Sequence, residues 1–173
     1  MHPENEQIRV LVVDDHPLLR AGIAADLEAQ SDIALVGEAT NGHEALQLFR
    51  LLRPDVTLMD LQMPEMDGIE AIHAIRAEFP CARIAILTTY RGDVRALHAI
   101  KAGAIGYLLK SSLRKELLDA IRSIAAGNNH FPAEIAVELA DHLSHDCLTA
   151  REIQVLQCVA MGKPNKQIAV ELM

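Results

Sequence analysis

The sequence predicts an α/β protein: a doubly wound, five-stranded parallel sheet followed by a small all-α segment. Three observations predict it. Short apolar runs alternate strictly with amphipathic stretches up to about residue 127. Most of those runs are apolar on both faces, as strands covered by helices on either side must be. Capping residues bracket the amphipathic stretches at the offsets that helices require.

In chain order, the first run is IRVLVV, which leads into Asp14-Asp15, and residues 18–29 follow with helical spacing. IALVGEA is the second run. Asn41 and Glu44 then stand as N-cap and third helical residue of a helix over 43–52. DVTLM leads into Asp60, and Asp67 with Glu70 repeats the capping pattern for a helix over 69–78. RIAILTT is the fourth run, followed by a helix over 94–102 that Gly103 closes. IGYLLK ends on Lys110, and the last helix of the series, 113–126, closes at Gly127. Five βα units in a row, joined by right-handed crossovers, put helices on both faces.

After Gly127 the alternation stops. NNHFPAEIAVELADHLSHDC reads as a linker over 128–147, with a helix of its own over 133–143. In LTAREIQVLQCVAMG, Thr149 and Glu152 form a capping box, with Leu148 and Ile153 as its hydrophobic staple. Gly162 ends that helix, Lys163-Pro164 makes a turn, and Asn165 caps another helix in NKQIAVELM.

A chain of 173 residues suits one ordinary domain and a small module. It shows no run of about 18 uncharged apolar residues and no secretory signal, so a cytoplasmic protein without membrane contact is expected. Cys81, Cys147 and Cys158 are scattered without a CxxC pair and read as buried or idle thiols. The net charge of −8 argues against a whole-surface nucleic-acid binder and suits a site that gathers carboxylates around a cation.

In an open parallel sheet, ligands bind beyond the carboxyl ends of the strands. The first strand ends in Asp14-Asp15, the third in Asp60, the fourth in Thr88 and the fifth in Lys110. Unpaired, the carboxylates would repel and raise one another's pKa, and a divalent cation removes that cost. Mg²⁺ fits best, because it takes oxygen ligands and keeps waters for an incoming phosphate. An Asp beside Mg²⁺, with a Lys and a Thr at hand, can attack phosphorus and form an aspartyl phosphate. Lys110 and the metal would neutralise the phosphoryl oxygens, and Thr88 would donate a hydrogen bond to one of them. Singly, each group has a blander explanation: a strand-end Asp caps a turn, a Thr fills a strand, a Lys is solvated. Five such groups at one edge, each from the appropriate strand, outweigh those explanations. His16 is a weaker candidate, a possible metal ligand but more readily a helix-start residue before Pro17. Gln62 and Tyr90 would flank the phosphoryl position and limit water access, while His130, His142 and His145 lack metal-site spacing.

These residues carry a family resemblance. LVVDDHPLLRAGI, DVTLMDLQMPEMDGIEAI, IAILTTY and AGAIGYLLKSS resemble the receiver domain of bacterial two-component response regulators, over residues 7–127. The resemblance implies the flavodoxin-like strand order 2-1-3-4-5. It implies that Asp60 accepts a phosphoryl group from a sensor histidine kinase. It further implies that Asp15, Asp60 and the backbone carbonyl of Gln62 hold Mg²⁺, with Asp14 as acidic support. Thr88 and Tyr107 resemble the switch pair, the ring moving into space that the hydroxyl vacates, and Pro64 and Gly68 shape the loop after Asp60. Ser111 departs from the pattern, standing where many receivers have proline.

LTAREIQVLQCVAMGKPNKQIAVELM, residues 148–173, resembles the first two helices of the DNA-binding domain of NarL/FixJ-type (LuxR-type) regulators. Thr149, Arg151, Asn165 and Lys166 would meet DNA phosphates, since helix starts and basic groups bind them without reading sequence. Base reading belongs to a recognition helix expected just past Met173, so the helix-turn-helix is incomplete in this chain. The expected function is a phosphorylation-dependent regulator that dimerises when phosphorylated and binds DNA in the full-length protein. It is not an enzyme beyond self-phosphorylation and self-dephosphorylation. The alternative is a phosphorelay or protein-interaction module whose tail serves assembly. A Mg²⁺-dependent phosphatase with an Asp nucleophile ranks last, because Leu61 and Gln62 follow Asp60 and supply no second Asp as general acid.

Overall fold

The computed structural model describes residues 7–89 and 94–132. The linker helix, the capped helix pair and Thr149, Arg151, Asn165 and Lys166 lie outside the described residues, as do Tyr90, His142, His145, Cys147 and Cys158. Within them the chain runs β1 (Ile8–Val13), α1 (Pro17–Glu28), β2 (Ile33–Ala39), α2 (Gly42–Leu52), β3 (Val56–Asp60), α3 (Gly68–Glu78), β4 (Ile84–Thr88), α4 (Val94–Lys101), β5 (Gly106–Leu109) and α5 (Leu113–Ala125). All neighbouring strands pair in parallel, in the order β2-β1-β3-β4-β5. The expected fold and strand order are the observed ones.

The two-residue period of the strands sorts their side chains between two buried layers. Val10 and Val12 of β1, Leu58 of β3, Leu87 of β4 and Leu108 of β5 join one core with Ile23 and Leu27 of α1 and Leu117, Ile121 and Ile124 of α5. The alternate residues Leu11, Val13, Met59 and Ile86 are equally buried, and helices α2, α3 and α4 pack side by side in sequence. Each fully buried Leu or Ile contributes about 1.5–3 kcal/mol, so both layers hold the central strands. Every residue of β3, β4 and β5 is buried, whereas edge strand β2 is mostly half-buried.

The caps behave as their residue types require. Asn41 accepts a hydrogen bond from the Glu44 N–H at 2.9 Å, but the Glu44 carboxylate turns to the Thr40 N–H and hydroxyl and not to Asn41. Asp67 and Glu70 close a full capping box at the start of α3. Gly103 (φ 110°) and Gly127 (φ 87°) take the left-handed conformation that ends a helix.

One feature of the linker joins the sheet. His130 lies parallel to β5 in an isolated bridge with Gly106; its N–H donates to the Ile105 carbonyl at 2.9 Å, and its carbonyl accepts from the Tyr107 N–H at 2.8 Å. The chain leaving α5 therefore returns to the outer edge of β5. The compact unit that includes the sheet extends to Pro132.

Candidate phosphoacceptor site

Register assembles the site. Val13 of β1 pairs with Met59 of β3, so Asp14 comes beside Asp60 one step further on. Asp60 pairs with Leu87, and Thr88 with Leu109, which brings the ends of β4 and β5 to the same edge. The Lys110 N–H then donates to the Thr88 carbonyl at 2.8 Å. The groups expected there from the ends of strands 1, 3, 4 and 5 all stand there.

Asp14 is fully buried, and its Oδ1 accepts the His16 N–H at 2.8 Å. Asp60 is buried as well, with the Gln62 N–H directed at its Oδ1 from 3.3 Å. The Lys110 ammonium lies between the two carboxylates, 2.8 Å from Asp14 Oδ2 and 2.9 Å from Asp60 Oδ2. The Asp15 side chain is 34 % exposed, more open than either. Thr88 is buried at the end of β4, and Tyr107 on β5 is 1 % exposed. The Lys110–Ser111 peptide is trans, like every other described.

The loop after Asp60 is shaped by close backbone approach. The Gly68 N–H reaches the Leu61 carbonyl at 3.3 Å, and a Cβ at position 68 would stand 2.1 Å from the Asp60 carbonyl oxygen. No side chain fits there. Glu65 takes φ 66°, and the Met66 N–H turns back to the Pro64 carbonyl at 2.9 Å.

Charge in the site is unbalanced. Three carboxylates face one ammonium, and burial pushes the Asp60 carboxyl above its ordinary range; the Lys110 contact opposes that push, and the Asp14 charge adds to it. Burial works against the Lys110 ammonium, but its contacts with Asp14 and Asp60 outweigh burial and hold its pKa above the ordinary value. Even so, one ammonium serves both Asp14 Oδ2 and Asp60 Oδ2, at 2.8 and 2.9 Å, and does not reach Asp15 Oδ1, a third shielded oxygen. Ligand atoms from Asp14, Asp15, His16 and Asp60 all lie within 4.8 Å of one another. Carboxylates in excess of the one ammonium fit a hard divalent cation, whose charge would offset the excess.

His16 stands at the helix start expected for it, ahead of Pro17, but its side chain makes no cap; instead Nδ1 stands 2.7 Å from Asp15 Oδ1 and 3.2 Å from Asp14 Oδ1. Arg20 escaped notice, although its Nη1 donates to the Asp14 carbonyl at 2.6 Å, one helical turn beyond His16.

Residues 10–122 match the family described as response regulator receiver domain, and residues 146–173 match bacterial regulatory proteins of the luxR family. The transcriptional regulatory protein LiaR of Bacillus subtilis (strain 168) is 43 % identical over 173 aligned residues, covering 95 % of this chain and 82 % of the relative. The response regulator protein VraR of Staphylococcus aureus (strain Mu3 / ATCC 700698) is 38 % identical, covering 94 % of this chain and 80 % of its own length. Among solved structures, a LuxR-family two-component response regulator from Aurantimonas sp. SI85-9A1 superimposes with a TM-score of 0.73 at 41 % identity, covering 80 % of this chain and 99 % of that one. The receiver domain of the putative response regulator NarL from Mycobacterium tuberculosis gives 0.67 at 39 % identity, over 71 % and 99 %.

Proposed function

Because the chain belongs to the response regulators that couple a receiver to a LuxR-type DNA-binding region, we propose that it is switched by phosphorylation of Asp60. The buried Asp60 carboxylate, held beside Asp14 by a single shared ammonium, carries this reading. The donor is the phosphohistidine of a sensor histidine kinase. An Asp60 oxygen attacks phosphorus, the P–N bond breaks, and the imidazole leaves with the bonding pair.

The cation expected here is Mg²⁺, held by Asp15, Asp60 and the Gln62 carbonyl, with Asp14 supporting the site. When bound it neutralises phosphoryl oxygens and lowers repulsion at the attacking carboxylate. Lys110 is already aimed at Asp60 Oδ2 and takes one phosphoryl oxygen; the Thr88 hydroxyl takes another. A cytoplasmic location follows from that chemistry; among the described residues no helix is long and apolar enough to cross a membrane.

Transmission runs through β5. Tyr107 is buried, and its backbone N–H is bonded to His130, so ring and linker share one residue. The phosphoryl group, by drawing Thr88 inwards, stabilises the buried ring and alters the hold of residues 128–132 on β5. Dimerisation and DNA binding by the full-length protein are the outputs, with 7–127 as receiver, 128–147 as linker and 148–173 as the start of the DNA-binding domain. Thr149, Arg151, Asn165 and Lys166 serve as phosphate contacts there. The alternative, an interaction module with an assembly tail, accounts less well for the luxR-family match over 146–173.

The test is direct. A small phosphodonor with Mg²⁺ should add one phosphoryl group by intact mass, and Asp60→Asn or excess chelator should abolish the addition. Labelling that survives either change would overturn the assignment.

A further inference from the structure

Resting on that cation site, we infer that His16 is an additional donor to the bound ion and sets which divalent ions the pocket prefers. The backbone places it there. Pro17 restricts the residue before it to extended conformations, and His16 sits at φ −87°, ψ 107°. Its N–H is fixed on Asp14 Oδ1 at 2.8 Å, so the imidazole leaves the chain beside the acidic pair. Nδ1 then reaches within 2.7 Å of Asp15 Oδ1, a shielded oxygen without a hydrogen-bond partner among the described residues.

The ring is 68 % exposed at its side chain, so little packing opposes the small rotation that would turn Nδ1 from the carboxylates to an ion between them. Asp14, Asp15 and Asp60 alone make an all-oxygen pocket, which suits Mg²⁺. An imidazole nitrogen changes that preference. It adds little for Mg²⁺, but binds later first-row divalent ions well, in the order of rising affinity from Mn²⁺ to Co²⁺ and Ni²⁺. The pocket accordingly accepts Co²⁺ in the Mg²⁺ position and holds it more tightly, through His16.

Titration calorimetry of the whole 173-residue chain with MgCl₂ and with CoCl₂ reads this preference. His16→Ala and His16→Gln should weaken Co²⁺ at the pocket by about tenfold or more, the scale of losing a metal-site partner, while Mg²⁺ binding stays as it was. Other histidines are common to all three proteins and cancel in the comparison. Proton NMR supplies a second readout, because bound Co²⁺ should move the His16 ring protons far outside the diamagnetic range, and Asp15→Asn should remove that shift. Equal Mg²⁺ and Co²⁺ losses in the His16 variants would overturn the inference, as would unshifted His16 ring protons in Co²⁺-loaded protein. Failure of the unsubstituted chain to bind Mg²⁺ would instead overturn the cation site on which the inference rests.

Discussion

The two ends of the sheet handle charge in opposite ways. At the amino ends of the strands two arginines meet acids near the surface, and a third lies over an aromatic ring. Arg50 pairs with Glu78 through both side-chain nitrogens that reach it, Arg122 makes two bonds to Asp32 at 2.7 and 3.0 Å, and Arg53 lies 3.9 Å over the Phe79 ring, itself stacked on Phe49 at 5.1 Å. The Arg partners hold the Glu78 and Asp32 carboxyls below their ordinary values. At the carboxyl ends, Asp14 and Asp60 share one ammonium with Asp15 close by, and burial drives Asp60 the other way. One end is neutralised by the chain itself. The other is left incomplete, and that deficit is what an ion and a phosphoryl group would fill.

The largest expected effect is steric and lies at the incomplete end. Gly68→Ala would force a Cβ against the Asp60 carbonyl oxygen, which would otherwise lie 2.1 Å away. Backbone must move, so a loss of about 3 kcal/mol or more is expected in urea unfolding, together with reduced phosphoryl acceptance. Full stability of this variant would mean the loop after Asp60 is loosely held.

The next effect runs in the opposite direction. Because burial raises the Asp60 pKa, its charged form weakens the metal-free fold at neutral pH. Asp60→Asn should then stabilise the metal-free protein, because it removes the buried charge that burial disfavours. The sign follows from linkage: the raised folded pKa makes the wild type gain stability as pH falls through it, so the advantage of Asn shrinks there. Adding Mg²⁺ should reverse the ranking, with wild type gaining about 2.7 kcal/mol at a hundredfold excess over Kd. Thermal melts with and without chelator check both halves; a destabilised metal-free Asn variant would refute the description of Asp60 as a strained charge.

A smaller effect tests the route out of the site. His130→Pro removes the N–H that bonds the Ile105 carbonyl. Faster exchange of the Tyr107 amide is expected, with strand β1 unaffected. Thr88→Ala should leave Mg²⁺ binding intact and blunt any change that a beryllofluoride-type phosphate mimic produces at residues 128–132. Identical exchange profiles with and without the mimic would show that Asp60 does not communicate with the linker.

The smallest effect belongs to the neutralised end. Arg50→Ala and Arg122→Ala remove exposed pairs, which contribute little in water, so their midpoint shifts should be the least of the series and shrink further in salt. Since Glu78 and Asp32 titrate below the ordinary range, what these pairs add is present above the unfolded pKa and lost as pH falls through the folded one. A shift at either pair exceeding that of Gly68→Ala would invert the comparison.

Much of this was legible in the chain, because it depends on neighbours in sequence. Apolar period, Asn41, the Asp67–Glu70 box, Gly103 and Gly127 specify local geometry, and they placed the helices to within a residue or so of those observed. The residues at the strand ends also named the site, since a parallel sheet delivers all its carboxyl ends to one edge. Other features depend on what lies across space. Nothing near position 16 says whether its imidazole faces solvent or Asp15, and nothing near 130 says that this backbone will meet the edge of β5. The excess of carboxylate over ammonium was countable in the sequence, but whether the ammonium would satisfy the oxygens was not. That depends on distances of 2.8 and 2.9 Å and on the angle of approach, which only the packed strands and the burial around them decide.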